Sequence, residues 1–225
     1  MKYFEPQFVT FFEQLSKNNN KEWFHAHRKD YDQYIKDPFE LFMIDLIDNI
    51  STKIDADIDL NAKKSIFRIN KDIRFSKDKT PYKTHRGAGL AKGGRKSNHP
   101  GFYIHMNHEK VMCGGGSYFL DKEQLKAIRT EISYETDQFE QLINNSKFKK
   151  YFGEIQGDKN IRIPKEFQET HAIQPLVANK LFYYMSDMPV SLITSDKLMS
   201  ELMKRYKVGY EINKFLKEAL SDVLG

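Results

Sequence analysis

Residues 67–89 of the chain read FRINKDIRFSKDKTPYKTHRGAG. Within it, Phe67, Ile69, Ile73 and Phe75 alternate with charged and polar residues. A period of two is typical of a β-strand that has one apolar face and one polar face. The sequence therefore predicts a strand over these residues, with unusually dense charge along one of its faces.

Three later segments extend this pattern into a sheet. They read GAGLA at 87–91, GFYIHMN at 101–107 and VMCGGGSYF at 111–119, and short polar loops separate them. Short strands joined by such loops favour antiparallel pairing between neighbours. We expect a β-meander of about four strands over residues 66–119.

Helical spacing of apolar residues dominates the rest of the chain. Asn20 and Asp121 stand where N-caps are expected, and helices are predicted over 1–60 and 121–224. The C-terminal part includes a predicted helix at 175–187, a short strand or extended run at 189–194 and a long final helix. The predicted fold class is α+β, with the central antiparallel sheet packed against N- and C-terminal helices in a single domain spanning residues 1–225.

Basic charge is concentrated in one part of the chain. Residues 62–110 contain 13 Lys and Arg residues against 3 Asp and Glu residues, a local charge of +10, whereas the remainder carries −5. Segregated positive charge indicates partners that carry phosphates or carboxylates, including nucleic acid.

Several classes of function have no support in the sequence. The single cysteine, Cys113, excludes an intramolecular disulfide and a cysteine-based zinc cluster, and the histidines lack metal-ligand spacing. We expect no metal and no cofactor. The first residues lack a signal-peptide layout, and no apolar stretch approaches the roughly 18 residues that a membrane span needs. A cytoplasmic protein without membrane contact is the expectation.

The same charged stretch carries a resemblance to a known family. The pattern Arg-x-x-Arg-Asp-x-Arg-Phe, followed by Asp-Lys-x-x-Tyr, resembles the signature of the bacterial domain-of-unknown-function family 2461, whose members are conserved hypothetical proteins. The matching residues are Arg68, Asp72, Arg74, Phe75, Asp78, Lys79 and Tyr82. Lys71 replaces the second arginine and loses its bidentate fork. The resemblance implies a shared fold and supplies no function.

The polar face of the predicted strand suggests a binding site. Its alternation would place Arg68, Asp72 and Arg74 side by side, so that the carboxylate orients two arginines toward an anion. The same three residues could instead form a structural salt-bridge network. We expect His105 to lie near this face if its strand pairs with residues 67–75.

The leading hypothesis is a pocket for a small phosphorylated or carboxylated ligand on the polar face of the sheet. The expected ligand-binding residues are Arg68, Lys71, Asp72, Arg74, Lys79, Tyr82, Lys83 and His105. If a reaction occurs there, Asp72 or His105 is the candidate base, and the sequence leaves open whether the protein is an enzyme. The alternatives are a nucleic-acid-binding module that uses residues 62–110, and a structural or interaction protein.

The glycine run at 114–117 allows three readings. A phosphate cradle formed by backbone N–H groups is disfavoured, because the spacing matches no phosphate-binding loop and Asp121 caps the following helix. A bulge or close packing in an edge strand is favoured. Alternatively, the glycines clear room for a ligand over the polar face of the sheet.

Overall fold

Helices build the N-terminal part of this computed structural model, which describes residues 1–224. They are α1 (Gln7–Lys17), α2 (Lys21–Ala26), α3 (Arg28–Asp30), a π-helix (Tyr31–Lys36), α4 (Asp37–Lys53) and α5 (Ala62–Ser65). Asn20 caps α2, since its side-chain oxygen accepts a hydrogen bond of 2.8 Å from the Trp23 N–H. Pro38 lies in the first turn of α4, where its missing N–H leaves no hydrogen bond unmade.

Four antiparallel strands form the sheet in the order β1-β2-β3-β4. They are β1 (Arg86–Ala91), β2 (Gly101–Met106), β3 (Lys110–Ser117) and β4 (Phe182–Pro189). Each strand pairs with the next along the chain. The predicted α+β class and the antiparallel meander are therefore confirmed, although its members differ from those expected.

The predicted strand at 67–75 is wrong. Residues 66–85 form an irregular arm beside β1, with isolated bridges from Ile66 to Ala88 and from Asn70 to Tyr82. At its tip, residues 71–80, side chains bond to nearby backbone N–H groups and replace a ladder. We call residues 66–85 the arm and residues 71–80 the arm tip.

The predicted helix at 175–187 is also wrong. A 3₁₀ turn over Pro175–Ala178 is followed by β4, and a second 3₁₀ turn, Val190–Leu192, replaces the short strand expected at 189–194. In β4 the side chains alternate between buried and half-buried or exposed positions. Aromatic residues favour such pleated surfaces. Pairing with β3 therefore produces a strand here in place of the predicted helix.

The C-terminal helices follow the prediction more closely. They are α6 (Lys122–Tyr134), α7 (Thr136–Ile143), α8 (Ser146–Phe152), α9 (Gln168–Ile173), α10 (Leu198–Ala219) and α11 (Ser221–Leu224), with a 3₁₀ turn at Lys165–Phe167. Asp121 and Gln124 form the expected capping box at the start of α6.

The core lies on one face of the sheet, and the other face is only partly covered. The row Ala88, Ile104, Cys113 and Ser186 crosses all four strands on the buried face. Helix α10 packs there, and its Tyr206 hydroxyl donates to a β2 carbonyl at 2.9 Å. The opposite, half-buried face is called the open face here, and it borders a cavity described below.

Within residues 1–224, none of the helices combines the length and the apolar character that crossing a membrane requires. The single-domain organisation and the cytoplasmic location stay predictions.

Candidate functional site

A basic cleft of about 820 Å³ lies between the N-terminal helices and the base of the arm. Six cationic side chains line it: Arg28, Lys36, Lys63, Arg68, Arg86 and Arg95. Among residues 1–224, two acidic residues, Asp37 and Glu40, line it with them. We call this the arginine cleft.

Arg86, the first residue of β1, is the most unusual group in the arginine cleft. It is only 6% exposed, and its guanidinium packs 5.3 Å above the Phe39 ring. One nitrogen, Nη1, donates to the Phe67 carbonyl at 2.9 Å, whereas Nε is buried without a partner. Burial lowers the pKa of Arg86, and within residues 1–224 no carboxylate forms an ion pair with it. The cleft therefore contains a desolvated cation whose charge is not balanced.

The remaining cations of the cleft divide into two groups. Three of them have carboxylate partners: Lys36 with Asp37 at 3.6 Å, Lys63 with Glu40 at 3.2 Å and Arg28 with Asp32 at 2.9 Å. Arg68 and Arg95 form no ion pair within the described residues, and Arg95 donates to the Lys64 carbonyl. With Arg86, three arginines of this cleft thus lack a carboxylate partner.

The arm tip holds Asp72 and Arg74, two of the three residues that the predicted strand would place side by side. The Arg74 guanidinium donates to both Asp72 carboxylate oxygens, at 2.9 and 2.7 Å, and their side chains are 76% and 46% exposed. These hydrogen bonds hold the pKa of Asp72 well below its usual range. In residues 1–224, Arg68 pairs with neither of them, so the predicted arrangement of two arginines around one carboxylate is not formed.

Three predicted lysines mainly support the arm itself. Lys71 pairs with Asp78 at 2.7 Å, and Lys79 donates to the Ile73 carbonyl at 2.9 Å. Lys83 donates to a carbonyl at the arm base, 2.8 Å away. The contacts of Lys79 and Lys83 satisfy backbone carbonyls that a strand ladder would otherwise have paired, whereas the Lys71 contact joins two side chains.

Tyr82 anchors the arm to the helices. It is 5% exposed and stacks on Phe24 with ring centroids 4.0 Å apart. The Asn19 side chain bonds both its backbone groups, accepting from N–H at 3.1 Å and donating to the carbonyl at 2.9 Å. The structure thus gives Tyr82 a packing contact with α2.

His105 lies on the open face of β2, opposite Gly87, and not beside the arm tip as expected. Its ring stacks on His85 at 3.9 Å, and Nδ1 lies 3.4 Å from the Tyr103 hydroxyl. Burial lowers the pKa of His105 to about 4, so its ring is neutral at pH 7. Within the described chain no hydrogen bond joins it to Asp72, so the two candidate bases do not contact each other.

The structure adds Arg86 and Arg95 to the candidate site residues. One signal for Arg86 was present, because it shares the strand period of Ala88 and Leu90 and so falls on the core-facing side. An arginine on the apolar side of a strand predicts a buried charge. Arg95 lies in a polar loop, and no local pattern indicates where it would fold.

A second cavity, of about 740 Å³, lies over the open face of the sheet. Gly89, Gly116, Tyr103, Tyr118, Phe119 and Tyr183 are among its lining residues. We call it the sheet cavity. Gly116 has a φ of +108°, which an L side chain rarely adopts.

The glycine run belongs to an inner strand, β3, and not to an edge strand as expected. A Cβ atom built on Gly114 would lie 2.1 Å from the Tyr184 carbonyl oxygen. Close packing against β4 therefore requires a glycine there, and the absence of side chains leaves room in the sheet cavity.

Residues 1–224 contain no group of three or more His, Cys, Asp or Glu side chains that could hold a metal ion.

The fold defines an α+β protein in which a four-stranded antiparallel meander carries a basic cleft beside its first strand. Residues 7–215 match the family described as Conserved hypothetical protein (DUF2461), and the chain belongs to that family. The match confirms the resemblance and includes the arm, the sheet and most of α10. A comparison with curated proteins finds no match.

Proposed function

We propose that the protein binds a small phosphorylated or carboxylated ligand in the arginine cleft. One observation carries the proposal: Arg86 is 94% buried, lines the cleft, and has no carboxylate partner among residues 1–224. The proposed site keeps the anion-binding chemistry that the sequence predicts, but its centre lies at the base of the arm and not at the arm tip.

Burial energetics explain why an anion fits there. A desolvated charge is unfavourable unless it is paired, and a buried cation without its partner destabilises a fold. A bound phosphate or carboxylate would pair with Arg86 and accept from its free Nε–H. The planar guanidinium fork suits such bidentate contacts.

Two neighbouring residues support the same chemistry. Arg68 lines the cleft, is exposed at its mouth and keeps its charge free of any ion pair in the described chain. Tyr31 is buried in the cleft, and burial raises the pKa of its hydroxyl while the charge of Arg86 opposes that shift. The Tyr31 hydroxyl stays protonated at pH 7 and can donate to an anion.

A thermal-shift series tests this proposal with inorganic phosphate, pyrophosphate, citrate and sugar phosphates. Ligand at 100 times its Kd stabilises a protein by about 2.7 kcal/mol, which a melting curve resolves. We expect Arg68→Ala to weaken binding about tenfold or more, because a charge-assisted hydrogen bond contributes about 1.5–3 kcal/mol.

Arg74→Ala is the matched control, since Arg74 pairs with Asp72 at the arm tip and does not line the cleft. It should bind anions like the wild-type chain. If no anion shifts the melting temperature, or if Arg74→Ala and Arg68→Ala lose binding equally, the arginine cleft is not the anion site.

Binding of single-stranded nucleic acid is the second candidate function. Phe75 is 95% exposed at the arm tip, with the Arg74 guanidinium 5.9 Å from its ring centroid. An exposed aromatic ring beside cations suits stacking on a base next to phosphate contacts. This reading expects an oligonucleotide affinity that falls steeply with salt and drops in Phe75→Ala. Wild-type affinity in Phe75→Ala would contradict it.

A further inference from the structure

We propose that the arginine cleft and the sheet cavity together form one bipartite site for a nucleotide, with the phosphate in the cleft and the base over the sheet. The phosphate half rests on the proposed function. The base half is new and is argued from the sheet cavity alone.

The open face of the sheet offers a flat floor. Ala91, Gly101, Gly116 and Tyr183 form one continuous row across the four strands. Three of these residues carry at most a methyl group, so almost bare backbone faces the cavity. A planar ring can approach such a floor closely, whereas larger side chains would occupy the space.

Aromatic rings wall the cavity. Tyr118 and Phe119 follow β3 and are 57% and 45% exposed. The Tyr118 ring lies 5.4 Å from both Phe119 and Tyr183, in edge-on contacts. Exposed aromatic rings grouped at the edge of a cavity present free faces on which a base can stack.

Polar and charged side chains complete the lining of the sheet cavity, where Lys110 and Asp187 pair with each other at 2.6 Å. Ser97, His99 and Gln156 are among its lining residues. A mostly apolar cavity with a small number of hydrogen-bonding groups is the usual form of a site for a small organic ligand. These three can serve the ring heteroatoms and exocyclic groups of a base.

Two residues connect the cavity to the arginine cleft. Phe67 and Arg95 line both. The Phe67 carbonyl accepts from Arg86, and its ring lies 6.4 Å from the ring of Tyr103 on the cavity floor. Phe67 and Arg95 therefore mark the edge of β1 where the two spaces adjoin, and a ligand there would have to pass around that edge to reach both. A phosphate joined to a flat ring by a sugar matches this order of groups.

Calorimetric titration of the full chain tests the proposal with AMP, GMP, CMP and UMP against ribose 5-phosphate and phenyl phosphate. We expect at least one nucleotide to bind about tenfold or more tightly than ribose 5-phosphate, as expected for one stacked base. Phenyl phosphate should bind more weakly than that nucleotide. Equal binding of phenyl phosphate would overturn the nucleotide assignment and indicate any aromatic phosphate.

Tyr118→Ala and Tyr134→Ala form a matched pair for the base half. Tyr118 lines the sheet cavity, whereas Tyr134 is 81% exposed at the end of α6 and does not. Tyr118→Ala should weaken nucleotide binding about tenfold and leave ribose 5-phosphate binding unchanged, and Tyr134→Ala should alter neither.

The two proposals fail in different ways. If ribose 5-phosphate binds as tightly as every nucleotide, the bipartite site is wrong and the anion site stands. If Tyr118→Ala binds nucleotides as the wild-type chain does, the sheet cavity does not hold the base. If no phosphate compound binds at all, both proposals are wrong.

Discussion

The arginine cleft and the arm tip are both rich in cations, but the cations that define them differ in ion pairing and in burial. At the arm tip, Lys71 and Arg74 pair with acids close to them in sequence, and the pairs are partly or largely exposed. In the cleft, Arg68 and Arg86 have no acidic partner within residues 1–224, and Arg86 is removed from water.

This comparison distinguishes a region that merely contains many charged side chains from one that contains a charge without a partner. Exposed ion pairs contribute little, because water and salt screen them. A buried cation without a partner is energetically unfavourable, which supports the proposal that an anion binds beside it. The density of cationic residues along the sequence therefore identifies the region. The burial and the ion pairing of the individual side chains identify the candidate site within it.

The largest expected difference concerns how the two parts of the arm are held. Tyr82→Ala removes a buried ring from its stack on Phe24, and we expect the free energy of unfolding to fall by about 3–5 kcal/mol. Phe75→Ala, at the exposed tip, should change it by less than about 0.5 kcal/mol. Urea denaturation measures both. Similar values for the two variants would show that the arm base is not an anchored unit.

An intermediate effect on the free energy of unfolding is expected when the pH is lowered. Burial lowers the pKa of His85 to about 3 and that of His105 to about 4, from an ordinary value of 6.5. Lys83, Arg86 and Lys71 reinforce the shift at His85; at His105 Lys110 reinforces it and Asp187 opposes it. Below pH 6.5 the unfolded chain binds protons that the folded chain does not, so stability is full above pH 6.5 and falls toward pH 4.

Denaturation curves at pH 7.5, 6 and 4.5 measure this loss. The double variant His85→Gln/His105→Gln should show a flatter profile over the same range. The Asp72 carboxyl of the arm tip, whose pKa is lowered, titrates only in more acidic solution and so does not shape the profile over this range. A wild-type profile that is flat between pH 6.5 and 4.5 would contradict the buried, neutral state of the histidine pair.

The smallest effect is expected at the tip ion pair. Asp72→Asn removes the carboxylate that Arg74 contacts, but both side chains are exposed. We expect the melting temperature and the anion affinity to stay at their wild-type values. A clear fall in the melting temperature would restore the alternative in which these charges hold the fold together.

Much of the fold could be predicted from local patterns. Caps at Asn20 and Asp121 act within one helical turn, so the sequence alone identifies them. The strands β1, β2 and β3 follow one another with short connections, and their pairing is local. The fourth strand, β4, is distant in sequence, and its partner β3 could not be identified from a local window.

The candidate site was predictable in its chemistry but not in its geometry. The alternation at 67–75 suggested a strand, but the side chains of Asp72, Ser76 and Asp78 accept local hydrogen bonds from backbone N–H groups, and the arm tip folds back on itself. Among the residues expected to bind a ligand, only Arg68 lines the arginine cleft. Arg95 reaches the cleft from the loop after β1. A contact that depends on how a loop folds over the sheet leaves no periodic pattern in the sequence.

A calorimetric titration of pyrophosphate into the wild-type chain, Arg86→Met and Arg74→Ala shows directly whether the arginine cleft is the anion site. Methionine keeps much of the length of the arginine side chain and removes its charge. We predict that the wild-type chain and Arg74→Ala bind alike, and that Arg86→Met keeps a cooperative melting transition and shows no binding. Binding that survives in Arg86→Met, or that is lost in Arg74→Ala, would contradict the assignment of the anion site to the arginine cleft.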